Sequence, residues 1–86
     1  MRLDKYLKVS RIIKRRTVAN EACSSGRVTI NDKTAKPSTD VKVGDVIAIR
    51  LGAKLFKAEI TEVREYATKE NADEMYRVIA NEGFDE

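Results

Sequence analysis

Seven basic side chains crowd the first sixteen residues: Arg2, Lys5, Lys8, Arg11, Lys14, Arg15 and Arg16, with Asp4 as the only acid among them. At that density lysine and arginine can neutralise phosphates and release the counterions that phosphates condense. Arginine adds a planar fork that holds one phosphate through two hydrogen bonds or stacks on an unpaired base. A helix face kept basic for solubility has a similar composition, but the charge pattern favours a nucleic-acid surface. Arg27, Lys33 and Lys36 could extend it, although singly each reads as an exposed side chain.

Other chemistries find little support. There is no histidine, hence neither the commonest general base nor the commonest metal ligand. One cysteine, Cys23, allows no internal disulfide and no zinc set, and its apolar neighbours make it a packing residue. Tyr6 shares helical spacing with Leu3 and Leu7, which suits a core role better than base stacking. Glu59, Glu62, Glu65, Glu70, Asp73 and Glu74 read as a solvated face, since none has a visible acid–base partner. Gly44 and Gly52 are isolated and lack the pattern of a phosphate-binding loop. No catalytic residue, metal ligand or cofactor is therefore expected, and the protein is not expected to be an enzyme.

The elements that must position the basic group follow from period and punctuation. Leu3, Tyr6, Leu7 and Ser10 make one stripe of an amphipathic helix, and Arg2, Lys5 and Lys8 make another. Asp4 lies in the first turn, favourable to the helix dipole and four residues before Lys8. Thr17 is the expected N-cap of a second helix whose small apolar stripe is Val18, Ala19, Ala22 and Cys23, ended by Gly26 in a left-handed C-cap. Ile12 and Ile13 between the helices read as core. The period then falls to two: Val28 and Ile30 share a face, and Asn31-Asp32 suits a tight hairpin turn into a short strand at 33–35, which Pro37 limits. A turn at Gly44-Asp45 precedes a strand at 46–49, and Phe56, Ala58 and Ile60 mark another after Gly52. From residue 68 an N-capped helix is expected, with a strand at 75–79 as the alternative.

With 86 residues the chain suits one domain with a modest core, and 42% apolar against 36% charged residues fits a folded soluble chain. Residues 1–50 hold twelve Lys and Arg against five Asp and Glu, whereas residues 51–86 hold five against nine. A basic half opposite an acidic half suggests oriented binding to a polyanion. No run is apolar enough to span a membrane, and no hydrophobic stretch follows the basic N-terminus as in a secretory signal. A cytoplasmic protein with no membrane partner is expected.

The ordered motifs "RLDKYL", "RRTVANEACSSGRVTIN" and "VGDVI" resemble the RNA-binding domain named after small-subunit ribosomal protein S-four, the alpha-L motif, over about residues 1–51. Asp32 departs from the glycine usual in that family's turn. The resemblance implies an α+β fold: two short N-terminal helices packed on a small, mostly antiparallel sheet. The expected division is an RNA-binding domain at 1–66 and an acidic, helical C-terminal tail at 67–86. Among stand-alone members, "MRLDKYLKVSRIIKRRTVANEACSSGRV" and "KENADEMYRVI" look like the RqcP-like (YabO-like) family of ribosome quality control, while heat-shock relatives carry a longer basic extension. That likeness implies binding to 23S rRNA of the large subunit and to stalled peptidyl-tRNA in the P site. RqcH on the same particle would add C-terminal alanines, and the factor would be monomeric off the ribosome. The family's RNA-contacting surface falls on Arg2, Lys5, Lys8, Arg11, Lys14, Arg15 and Arg16, with Asp4 orienting the first helix. The competing expectations are a heat-shock-type recycling factor without tailing, an RNA-modifying enzyme, and a protein-interaction module built on the acidic half.

Overall fold

The computed structural model describes residues 1–82; the last four residues of the expected acidic tail lie outside them. The first helix, α1 (Leu3–Val9), buries Leu3, Tyr6 and Leu7 completely. Seven residues are too few to hold a helix in water unaided, and the support comes from outside it. The Leu3 and Asp4 amides, two of those a helix start leaves unpaired, donate to the carbonyls of Thr39 (2.8 Å) and Pro37 (3.1 Å). The N-terminal ammonium meets Asp40 at 2.7 Å, and the Val41 amide donates to the Met1 carbonyl. Ser10 caps the helix, and Arg11 leaves it with φ of 64°, a left-handed conformation unusual for a side chain of that size.

The second helix, α2 (Arg16–Ser24), starts one residue before the expected cap, with Arg15 extended at the N-cap position and no side chain closing it. Ala19, Ala22 and Cys23 are buried as the spacing requires, but Val18 is half-exposed, so the packed stripe is narrower than expected. Gly26 takes the positive φ (78°) that ends the helix.

A five-stranded antiparallel sheet follows, built from β1 (Val28–Ile30), β2 (Lys33–Thr34), β3 (Val46–Leu51), β4 (Lys54–Ile60) and β5 (Tyr76–Glu82), in the order β2-β1-β3-β4-β5. Asn31 and Asp32 both have positive φ (51° and 69°), as a tight hairpin needs. Asn31 also ties β1 to β3: its side-chain oxygen accepts the Val46 amide (2.9 Å), and its amide group donates to Asp45 (3.1 Å). Alternation in β3 and β4 sends Ile47, Ile49, Phe56, Ala58 and Ile60 into the core with the helix side chains.

The expected helix from residue 68 is the part of the fold that differs. Thr68 and Asn71 exchange two side-chain-to-amide bonds, but these close a turn at 68–71, and the 3-10 turn that follows at Ala72–Met75 has Asn71 at its N-cap with no side-chain bond closing it. The chain then runs as β5 along β4, which would otherwise be an open edge. A register shift at Lys57/Ala58 leaves both Val78 and Ile79 half-exposed, which obscures the strand's alternation.

One buried bond joins the two ends of the sequence: the Tyr6 hydroxyl donates to the Met75 carbonyl at 2.6 Å. That carbonyl also receives the amides of Thr61 (2.9 Å) and Glu62 (3.2 Å). Tyr6→Phe therefore removes one bond without orphaning its acceptor, and the expected loss is about 1 kcal/mol. In thermal unfolding this corresponds to a midpoint lower by roughly 4–8 °C for a domain of this size. A loss several times larger would show that the hydroxyl does more than this one bond.

Candidate nucleic-acid interface

The basic group is organised by an acid. Asp4 is 2% exposed and its two oxygens collect donors from both helices. Arg2 approaches as a fork, Nε to Oδ1 and Nη2 to Oδ2, each at 3.2 Å. Arg16 Nη2 reaches Oδ1 at 3.4 Å, Asn20 Nδ2 reaches Oδ2 at 3.3 Å, and the Lys5 amide donates to Oδ1 at 2.8 Å. Burial by itself would raise the carboxyl's pKa; the hydrogen bonds from Asn20, Arg2 and Arg16 outweigh it and hold the group below its ordinary range. Asp4 thus orients side chains of both helices, and it does not pair with Lys8.

Arg2 and Arg16 remain about half-exposed while held this way, so their other donors face solvent in fixed positions. Arg2 and Asn20 line a shallow concavity with Ser24, Lys36, Pro37 and Ser38. Lys8, Arg11 and Lys14 line a different one, beside Tyr66, Ala67 and Lys69. Lys5 is partly buried and ion-paired with Glu65. Arg15, at the N-cap of α2, is exposed. The seven expected residues therefore divide into an Arg2–Arg16 pair and a Lys8–Arg11–Lys14 group, with Lys5 and Arg15 in neither. Ile12 and Ile13 pack against the core as expected.

Three polar contributors went unnoticed in the sequence. Asn20 lies one helical turn after Arg16, a spacing that places both on one side of α2. Tyr66 and Lys69 belong to an irregular loop and carry no periodic signal. Cys23 is 3% exposed; burial, with the Asp4 charge adding, pushes its thiol up to about 11, as suits a packing residue. Among the described residues no group of His, Cys, Asp and Glu could hold a metal, and no helix is long and apolar enough to cross a membrane.

Two short helices on a five-stranded antiparallel sheet, with arginines fixed around a buried carboxylate, define a small α+β module with a structured basic face. The S4 domain model matches residues 1–47, more than half of the chain, and the chain belongs to that family. Along its whole length it is 57% identical to the RQC P-site tRNA stabilizing factor of Listeria monocytogenes, covering 94% of that relative. It is 48% identical to the factor of the same name from Bacillus subtilis, with both chains covered completely. Among solved structures, the trimeric heat shock protein 15 of Vibrio cholerae superposes with a TM-score of 0.84 at 32% identity, over 93% of this chain and 82% of that one.

Asp4→Asn separates positioning from bulk charge. It raises the net charge by one, so a surface acting by charge density alone would hold RNA more tightly. Fixed arginine forks instead require weaker binding, together with a stability loss of about 1–3 kcal/mol from a damaged buried network. The pH dependence has a definite sign. A carboxyl whose folded pKa is depressed stabilises above its unfolded value, near 3.9, and that contribution is lost as pH falls through the folded pKa. Urea unfolding between pH 3 and 7 should accordingly show a shallower acid decline in the variant than in the parent, while RNA anisotropy reports the binding change.

Proposed function

We propose that the protein is a non-catalytic RNA-binding factor of ribosome quality control. It binds a large ribosomal subunit that still carries stalled peptidyl-tRNA and stabilises that tRNA in the P site by contacts to it and to nearby 23S rRNA. It thereby supports RqcH-dependent addition of C-terminal alanines to the nascent chain in the cytoplasm. The observation that carries this reading is the full-length identity of 57% to a relative named for P-site tRNA stabilisation in RQC. The tailing step and RqcH come from the resemblance of the motifs to the RqcP-like family.

The mechanism is positioning. Arg2 and Arg16 share one buried anchor, so two guanidinium groups arrive at the RNA with their spacing set. Each can clamp a phosphate bidentately, which lysine cannot reproduce. Lys8, Arg11 and Lys14 add charge on a separate concavity and Arg15 adds it at the start of α2, while Lys5 contributes less because Glu65 already holds it.

Arg16→Ala should weaken binding to large subunits carrying peptidyl-tRNA, lower alanine tailing, and flatten the slope of log K against log salt by about 0.7–0.9. Arg16 is half-exposed and Asp4 keeps Arg2 and Asn20, so the stability cost should stay within about 1 kcal/mol. Pelleting with purified subunits and a tailing assay check both effects; unchanged values in each would remove Arg16 from the interface. Normal subunit binding with tailing indifferent to the protein would instead favour the recycling role expected of a heat-shock-type factor.

A further inference from the structure

Tyr66 is 82% exposed, the most exposed large hydrophobic side chain among the described residues, yet the loop that carries it is firmly held. Thr61 and Glu62 donate their amides to Met75, Arg64 bridges Glu62 and Glu74, and Lys5 of α1 pairs with Glu65. Val63 and Ala67 pack on the core on either side of Tyr66, and Thr68 and Asn71 close the next turn. The ring is thus presented on a pinned segment. Beside it lies a concavity of about 400 Å³, lined among the described residues by Lys8, Arg11, Lys14 and Lys69 with Val9 and Ala67, and by none of their acids. Arg11 enters that wall from a left-handed backbone position (φ 64°), a conformation that a glycine would take at less cost.

An aromatic face beside four cations matches the two parts of an unpaired nucleotide, a base that stacks and a phosphate that is neutralised. We propose that Tyr66 with Lys8, Arg11, Lys14 and Lys69 forms a subsite for one unstacked nucleotide of single-stranded RNA, separate from the Arg2–Arg16 pair. The inference rests on the RNA-binding reading above and adds a second, base-dependent contact to it. Stacking accepts any base, so this subsite reads strandedness more than sequence.

The test uses the full chain and a labelled, unstructured oligoribonucleotide, with a duplex of equal length, inorganic polyphosphate and polyglutamate as controls. Tyr66→Ala should lose about 5- to 150-fold in affinity for the single strand, the range expected for one stacked base, with its salt slope unchanged. Tyr66→Phe should retain parental affinity. Because the chain has no tryptophan, Tyr66→Trp supplies a single reporter whose emission should be quenched by the single strand and not by the three controls. Undiminished affinity of Tyr66→Ala would overturn the proposal. So would equal quenching by polyphosphate, which would show a phosphate site alone, or by polyglutamate, which would show an acidic-protein site. Arg16→Ala measured in parallel on large subunits keeps the two readings apart: a silent Tyr66 with a damaging Arg16 refutes only the subsite, and silence of both refutes the RNA surface altogether.

Discussion

A carboxylate removed from water carries a penalty of several kcal/mol unless the protein replaces the lost hydration. Asp4 is placed so that the replacement must come from Arg2, Arg16, Asn20 and the Lys5 amide, groups on two different helices. The same contact that satisfies the acid therefore fixes the helix pair and aims two guanidinium groups outward. Long arginine side chains lose about 2 kcal/mol of rotamer freedom when immobilised. Part of that loss has already occurred in the free protein, which leaves less to lose on binding. A single buried negative charge thus orders two arginines of a positive surface.

Asp4 can act in this way only because α1 is held in place, and α1 is held by distant parts of the chain. Its first amides are met by the carbonyls of Thr39 and Pro37, the Met1 ammonium just ahead of it by Asp40, and its buried tyrosine by Met75. The match to the S4 domain ends at residue 47, yet the hydroxyl of Tyr6 finds its acceptor 69 positions away. The 3-10 turn and β5 are consequently part of what supports the basic face. Removing them would leave the tyrosine hydroxyl unpaired and β4 with an open edge.

Legibility in the sequence followed how local each cause was. The stripe of Leu3, Tyr6 and Leu7, the glycine at 26 and the Asn31-Asp32 turn depend on neighbours within a few residues, and all were readable from type and spacing. The C-terminal strand was less so, because Thr68 and Asn71 close a turn whose residue types read like a helix start, and the register shift at Lys57/Ala58 breaks the alternation that would have marked β5. For the candidate site, the basic residues were visible as a group, but their division was not. Asp4 meets Arg16 and Asn20 across separations of 12 and 16 residues, set by how α2 lies on α1. Nor does spacing reveal that Glu65 occupies Lys5, or that Tyr66 stands out from a loop whose other apolar residues turn inward.

The charge asymmetry of the two halves also changes meaning once the pairs are known. By count, the second half is acidic enough to form a docking face of its own. Among the described residues, however, Glu59 pairs with Arg77, Glu62 and Glu74 share Arg64, and Glu65 takes Lys5. Of seven acids between residues 51 and 82, four are thus matched by cations, leaving Glu70, Asp73 and Glu82 dispersed in exposed positions. Exposed pairs of this kind contribute little stability each, but they cancel field. Charges that would otherwise repel a phosphate backbone near α1 are largely neutralised within the domain. Among the described residues no ion pair holds Lys8, Arg11, Lys14, Arg15 or Lys69, and a polyanion would be drawn to them at first encounter.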